Sequence, residues 1–304
     1  MAVTLTQLTS FLTVVRRGSV TAAAEELVVT QPSVSAAVSA LERELGVVLT
    51  ERTGRSLRPS ASGAAYAPYA ADVLGLLEQG ARAAREAAEE ELRTLRISAV
   101  TTAGEYLVPQ LLQAFRERHP GLEISLDVGN REVVFQRVLD HAVDVAVTGR
   151  IPDDKRLTGH DFADNEFVLV TAPGDPLARR RWVAVEELAK RPWLLRETGS
   201  GTRTLVEDFL ASRGISPRLL TLGSNGAIKQ AARTGLGVAL QSRAAVELEL
   251  ELGLLGTISP RGGLPERRWH IVRSAVGPVR DDVQAFMSFC SSPAARHALA
   301  RPVR

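Results

Sequence analysis

The residues able to do chemistry in this 304-residue chain fall in two regions, and neither set resembles a catalytic apparatus. Near the N-terminus, "VVTQPSVSAAVSALERELG" puts Thr30, Gln31, Pro32, Ser33, Ser35, Ala36, Ser39 and Arg43 ahead of or between Val34, Val38, Leu41 and Leu45. An amide and several short hydroxyls beside small side chains let a helix backbone come close to another surface and read base edges in a major groove. Just beyond, "ERTGRSLRPSASG" carries Arg52, Arg55 and Arg58 at every third position. Guanidinium groups spaced along a glycine-containing hairpin suit phosphates or a narrow minor groove. On periodicity alone, a plain three-helix bundle with a solvated polar face fits this stretch as well. Residues 1–60 hold six basic and five acidic side chains, so the placement of the arginines, not overall charge, carries the DNA reading.

The second set lies in the C-terminal two-thirds. "VTTAG" offers Thr101 and Thr102, "RETGSGTRTL" offers Ser200, Thr202 and Arg203, and "LGSNGAIKQAARTGLG" offers Ser224 and Asn225. Each stretch follows a predicted strand and enters a predicted helix, where unpaired backbone N–H groups attract anions. None of these side chains is acidic, so a carboxylate or phosphate suits them better than a cation. Gly-Ser-Gly-Thr is also a common loop, and Ser224 and Asn225 read equally well as a structural helix cap.

Catalytic and metal signatures are missing from the sequence. It contains no Gly-x-Ser-x-Gly elbow, no P-loop and no zinc-type His/Cys spacing, and the five histidines are scattered. "GLGVAL" has Leu240 where a dinucleotide fingerprint needs its third glycine. Cys290 is the lone cysteine, and it reads as a core thiol. An enzyme is therefore not expected, and no cofactor or metal is called for.

Positioning these residues requires two kinds of architecture. Leu5, Leu8, Phe11, Leu12 and Val15 predict a helix from Thr4 to Arg17, and Gly18 ends it. Ser19 caps a second helix burying Val20, Ala23, Ala24 and Leu27, and Thr30 caps a third with Pro32 in its first turn. From Ser60 to about Arg93 an Ala-, Leu-, Glu- and Arg-rich stretch predicts one long helix, kinked or starting late near Pro68. Its apolar seam, with Tyr66, Val73, Leu76, Leu77, Ala84, Ala87 and Ala88, needs a partner helix. Beyond Leu95, alternating strands and helices predict a mainly parallel sheet.

Composition fits a globular chain: 45% hydrophobic, 24% charged and a net charge of +2. No apolar run approaches the roughly 18 residues that cross a bilayer. The first residues lack the basic start, apolar run and cleavage site of a signal peptide, and a single cysteine fits a reducing cytoplasm.

The N-terminal pattern resembles the winged helix-turn-helix of LysR-type transcriptional regulators. Gly18-Ser19, Ala23-Ala24, Leu27, Gln31-Pro32, Ser35, Leu41-Glu42, Leu45-Gly46 and Arg52 carry the likeness. Thr50 stands where the family usually has Phe, Pro59-Ser60 replaces Leu-Thr, and Ala36 replaces a long polar residue. "LLRETGSGTR", "GSNGAIKQAARTGLGVAL" and "VGNREVVFQRVLDHAVDVAVTGR" resemble the branch containing regulators of carbon-fixation and sulfur-assimilation operons. Within the last of these, Asn130 and Arg150 join the candidate effector contacts, while in the second Gly226 replaces an acidic residue.

The resemblance implies an α+β multidomain chain. It comprises a winged helix-turn-helix over 1–60, a linker and dimerisation helix over 61–93, and an effector-binding region over 94–304 like periplasmic binding proteins. Subdomain I would take 94–170 and 272–304, and subdomain II 171–271, with crossings near Val170-Thr171 and Ile271-Val272. It further implies operator DNA, a small and usually anionic effector and a homodimer or homotetramer. The competing readings are an α/β enzyme and a solute-binding protein, each with an accessory helical domain. A solute-binding protein would want an export signal and no winged helix.

Overall fold

Apolar spacing and caps set the first three helices. The computed structural model describes residues 3–54, 56–88 and 93–300, so the predicted DNA contact Arg55 and the end of the predicted linker helix lie outside the described residues. Contacts divide the chain into two units, Met1–Glu91 with Leu139–Ala142, and Leu92–Val138 with Val143–Arg304.

In the first unit, α1 (Leu5–Arg17) opens on a reciprocal Thr4/Gln7 capping box and closes on Gly18 at φ 65°. Ser19 caps α2 (Val20–Leu27), and Thr30 caps α3 (Gln31–Leu45), which takes Pro32 in its first turn. Phe11, Val14, Ala23, Val34 and Leu41 form the core between them. Strands β1 (Thr50–Thr53) and β2 (Ser56–Pro59) make an antiparallel hairpin with Arg52 opposite Leu57 and Glu51 opposite Arg58. The hairpin is tied down at its base. Glu42 accepts from the Leu49 and Thr50 amides at 2.8 and 3.2 Å, and the Leu57 amide donates to the Gly18 carbonyl at 2.8 Å.

Helix α4 (Ala61–Ala88) runs through Pro68 and starts well ahead of it, which removes the late start expected there. A proline costs the helix the amide of residue 68 and crowds the carbonyl of residue 64. The preceding turn is held regardless. Ser60 accepts from the Gly63 amide at 3.0 Å, and Tyr66, Ala67 and Ala70 pack on the three-helix core.

The second unit holds two subdomains. In the first, β3 (Thr94–Val100), α5 (Thr101–Tyr106), α6 (Val108–Arg116), β4 (Glu123–Gly129), α7 (Arg131–Leu139), β5 (Val145–Thr148) and β6 (Leu157–Asn165) follow in order. Then come β7 (Phe167–Thr171), a 3₁₀ turn at Pro176–Arg179, α8 (Val185–Leu188), β8 (Trp193–Leu195), α9 (Gly201–Ser212) and β9 (Leu219–Thr221). They are followed by α10 (Asn225–Arg233), β10 (Ala239–Ser242), α11 (Arg243–Glu251) and β11 (Gly256–Ile258). The chain returns through β12 (Arg267–Ser274), α12 (Asp281–Cys290) and α13 (Pro293–Leu299).

The sheets are mixed, not mainly parallel. One has the order β4-β3-β5-β12-β6, with β3 parallel to β4 and β5, and β12 antiparallel to β5 and β6. The other centres on β7, antiparallel to β10 and β11, while β8 and β9 pair in parallel and reach β10's leading residue through a Trp193–Val238 bridge. Because β7 belongs to the second sheet and β12 to the first, the chain changes subdomain at Glu166 and ahead of Arg267. Both points fall a few residues before those expected from the sequence. A returning strand inserted beside β5 must run against it, and hydropathy alone does not show that reversal.

Candidate functional site

Two surfaces gather the candidate residues, one in each unit. On the first unit, α3 buries Val34, Val38 and Leu41 and leaves Gln31, Pro32, Ser33, Ser35, Ala36, Ser39 and Arg43 exposed. Thr30 does not offer a free hydroxyl. It accepts from the Ser33 amide at 3.3 Å and shares a 2.8 Å hydrogen bond with the Ser33 hydroxyl. Among the described residues Gln31 and Ser35 make no such bond, and they sit one turn apart, both exposed on α3. Arg52 and Arg58 are both exposed on the hairpin, and neither is engaged in an ion pair among the described residues.

The second surface is a cavity between the two subdomains of the second unit, enclosing about 710 Å³ with its open mouth included. Thr101, Thr102, Asn130, Arg150, Ser200 and Thr202 all line it. They come from the strand ends and helix starts where the sequence places them. Asn130 accepts from the Val133 amide at 3.0 Å, and Thr101 donates to the Gly129 carbonyl at 3.2 Å. Ser200 occupies the N-cap position of α9 without making a capping bond, so the first amides of a twelve-residue helix have no side-chain cap there.

Three predicted residues lie outside the lining. Arg203 is committed elsewhere: its Nε donates to Glu207 at 2.8 Å, and its Nη1 donates to the Arg196 carbonyl at 3.1 Å and to Thr221 at 3.2 Å. Ser224 caps α10, accepting from the Ala227 amide at 3.1 Å. Asn225 is buried behind the wall. Its Oδ1 accepts from Arg196 Nη1 at 2.7 Å, and its Nδ2 donates to Thr102 and Glu105 at 3.3 and 3.2 Å. Lys229, a turn further along α10, pairs with Glu249 at 2.7 Å. Burial by itself would lower its pKa, but the hydrogen bonds it donates to Glu249 and Tyr106 outweigh that and hold it above the usual range.

Sequence reading missed three arginines that line the cavity, Arg131, Arg196 and Arg267. Arg196 is buried, and its Nη2 reaches Thr101 across the cleft at 3.3 Å. Glu197 takes both Arg196 Nε at 2.7 Å and Nη2 at 2.9 Å. Burial pushes the Glu197 carboxyl up, yet the Arg196 hydrogen bonds bring it below the usual carboxylate range. Only a charged residue closing the apolar run "WLL" hinted at this one. Arg267 and Trp269 had no signal, because they reach the cavity through the returning strand β12. With Arg150 the lining includes four arginines and no acidic residue, although Arg196 is already paired with Glu197 beside it.

No catalytic constellation accompanies this cavity. Cys290 is buried in the core of α12, where desolvation pushes its thiol up to about 12 and keeps it protonated and unreactive. No cluster of His, Cys, Asp and Glu able to hold a metal occurs among the described residues. No helix among them is long and apolar enough to cross a membrane.

A winged helix-turn-helix followed by a two-lobed α/β domain with a cavity carrying arginines and hydroxyls defines a ligand-responsive, DNA-binding transcriptional regulator. The chain belongs to the LysR family. Residues 5–64 match the family model for the bacterial regulatory helix-turn-helix protein of the lysR family, and residues 88–294 match that for the LysR substrate binding domain. It is 34% identical to the HTH-type transcriptional regulator CfxR of Cupriavidus necator, over 94% of this chain and 91% of that protein. It is 35% identical to the RuBisCO operon transcriptional regulator of Allochromatium vinosum, over 97% of this chain and 98% of that one. Among solved structures, the Synechocystis PCC6803 CcmR regulatory domain in complex with 2-PG is similar at 30% identity. Its TM-score is 0.62, and the match covers 65% of this chain and 95% of that one.

Proposed function

We propose that this regulator binds operator DNA as a homo-oligomer and is controlled by a small anionic metabolite held between its subdomains. The observation that carries the effector reading is the cavity lining: four arginines, a set of hydroxyls and no carboxylate. Such a wall favours a carboxylate or phosphate, which can accept charge-assisted hydrogen bonds from arginines such as Arg150 that have no ion pair among the described residues. The likeness to CfxR and to a RuBisCO operon regulator supports target genes in carbon assimilation. The 2-PG in the CcmR regulatory domain makes that compound the first probe to try.

In this reading Thr30, Gln31, Pro32, Ser33, Ser35, Ala36, Ser39 and Arg43 form the major-groove face, and Arg52, Arg55 and Arg58 grip the backbone. Thr101, Thr102, Asn130, Arg150, Ser200 and Thr202 contact the effector. Arg203, Ser224 and Asn225 are reassigned as supports of the wall. An effector that touches both lobes biases their relative orientation, which is how differential binding shifts a two-state protein.

The test pairs calorimetric titration of 2-PG and related anions with DNase footprinting on the upstream operator. An effective anion should alter the footprint of the wild type, and a Ser200→Ala/Thr202→Val variant should lose both the heat of binding and the footprint change while keeping operator affinity. Undiminished anion binding by that variant would show that the effector sits elsewhere.

A further inference from the structure

The first three helices each end on a residue in the left-handed conformation, and the middle one departs from the other two in chemistry. Gly18 closes α1 at φ 65° and Gly46 closes α3 at φ 68°, where glycine meets no steric penalty. Val28 closes α2 at φ 54° and ψ 45°. Its hydrogen bonds repeat those at the end of α3. There Gly46 and Val47 donate to the Arg43 and Glu42 carbonyls at 3.3 and 3.2 Å; here Val28 and Val29 donate to those of Glu25 and Ala24 at 3.3 and 3.0 Å. Glycine is the usual left-handed residue of this motif, and a β-branched side chain is strained in it.

Packing does not account for the valine. Leu27 beside it packs on the three-helix core, whereas Val28 is 89% exposed. The other non-glycine residue with a positive φ among the described residues is His141, which is buried and hydrogen-bonded to Asp72 at 3.0 Å. His141 is held in place by its surroundings; Val28 carries the same strain on a side chain surrounded by water. What adjoins it is the start of α3. Val28, Val29, Thr30, Gln31, Pro32 and Ser33 are exposed without a break. The apolar end of this run is thus continuous with the proposed reading face, within the residues that match the regulatory helix-turn-helix model. Three residues of chain reach at most about 11 Å, or about three base-pair steps of 3.4 Å.

We infer that Val28 is a specificity-determining residue whose methyls pack on the C5 methyl of a thymine, within about three base pairs of the one that Gln31 reads. This deepens the reading of α3 as the recognition helix and rests on it. A valine side chain has neither donor nor acceptor, and the apolar group that a base pair displays in the major groove is the thymine C5 methyl. Its exposure belongs to the free protein. When the helix enters the groove, both methyl surfaces leave water, which is favourable. A methyl contact selects thymine by shape, so it adds to the amide contact of Gln31 and does not duplicate it.

The experiment is a coupling cycle between the full chain and its footprinted operator. Competition gel shifts compare wild type, Val28→Ala and Val28→Gly on duplexes in which single thymines are replaced by deoxyuridine, which lacks the C5 methyl. For wild type, the replacement at one position in each half-site should weaken binding about fourfold, the factor for one buried methyl. Both variants should bind the unmodified operator about fourfold or more weakly, ignore deoxyuridine at that position and keep wild-type affinity for random duplex. Val28→Gly should melt no lower than wild type, since glycine enters the left-handed turn more easily. Wild-type operator affinity in both variants overturns the inference and leaves the exposed valine to a protein partner. A deoxyuridine penalty that persists at full size in both variants also overturns it, because the valine then acts through the turn and not on a methyl. The reading of α3 fails by a different route: a Gln31→Ala protein that discriminates operator from random duplex as well as wild type does. A specific loss in Gln31→Ala with no coupling at Val28 leaves α3 standing and removes only the methyl contact.

Discussion

Gln31 illustrates how much one side chain is asked to do. It is the first residue of α3, exposed and not drawn into the Thr30–Ser33 cap, so its amide has both donor and acceptor to give. A bidentate amide–base contact discriminates by about 1–3 kcal/mol. Gln31→Ala should therefore weaken operator binding by about that amount while leaving affinity for random duplex nearly unchanged, as read by competition gel shifts at fixed salt. Equal losses on both duplexes would remove Gln31 from base reading. Arg203 teaches the converse at the same scale. Its type and motif promised an anion ligand, but its guanidinium is used within α9 and against Thr221.

At the scale of elements, the junction of wing and linker helix depends on close backbone approach. Gly63 lies in the first turn of α4, and a Cβ there would stand 1.9 Å from the Leu49 carbonyl oxygen. Two backbones meet at that point, held also by the Ser60 amide donating to Leu49 at 2.9 Å and the Ser60 hydroxyl donating to Val48 at 2.6 Å. Neither can yield without opening the hairpin base. Gly63→Ala should cost about 2–4 kcal/mol, in the range of severe overpacking, despite alanine's better helix propensity. Chemical denaturation of the purified variant measures this; a stability within 0.5 kcal/mol of wild type would mean that the junction is plastic.

At the scale of the whole molecule, α4 carries apolar surface that its own unit does not cover. Tyr69, Val73 and Leu77 recur every fourth residue and are 71%, 50% and 53% exposed. A stripe at this spacing on a 28-residue helix is what a second helix would bury. A two-fold pair of reading helices also suits paired half-sites on DNA. Leu77→Lys together with Val73→Lys should shift the protein to monomer in analytical ultracentrifugation and lower operator affinity through lost pairing. An unchanged sedimentation coefficient would show that this stripe is not the subunit contact.

Local signals settled much of this protein from the sequence. Thr30, Pro32 and Gly46 bracket α3, the period of Val34, Val38 and Leu41 sets its buried face, and five of the six predicted effector contacts that line one cavity lie at strand-to-helix turns, Arg150 following strand β5 instead. These features depend on neighbours a turn or two away, so the chain encodes them directly. Other features were decided by contacts distant in sequence. Pro68 sits inside a helix because tertiary packing outweighs its local cost. Val28, a β-branched residue, takes a left-handed φ of 54° because the compact turn between α2 and α3 requires it. The antiparallel return of β12 moved the subdomain crossings and carried Arg267 and Trp269 into the cavity, about 65 residues beyond the nearest predicted contact that lines it. Composition and periodicity report what a residue prefers beside its neighbours; which charges converge across a cleft is fixed only when strands from opposite ends of the domain pair.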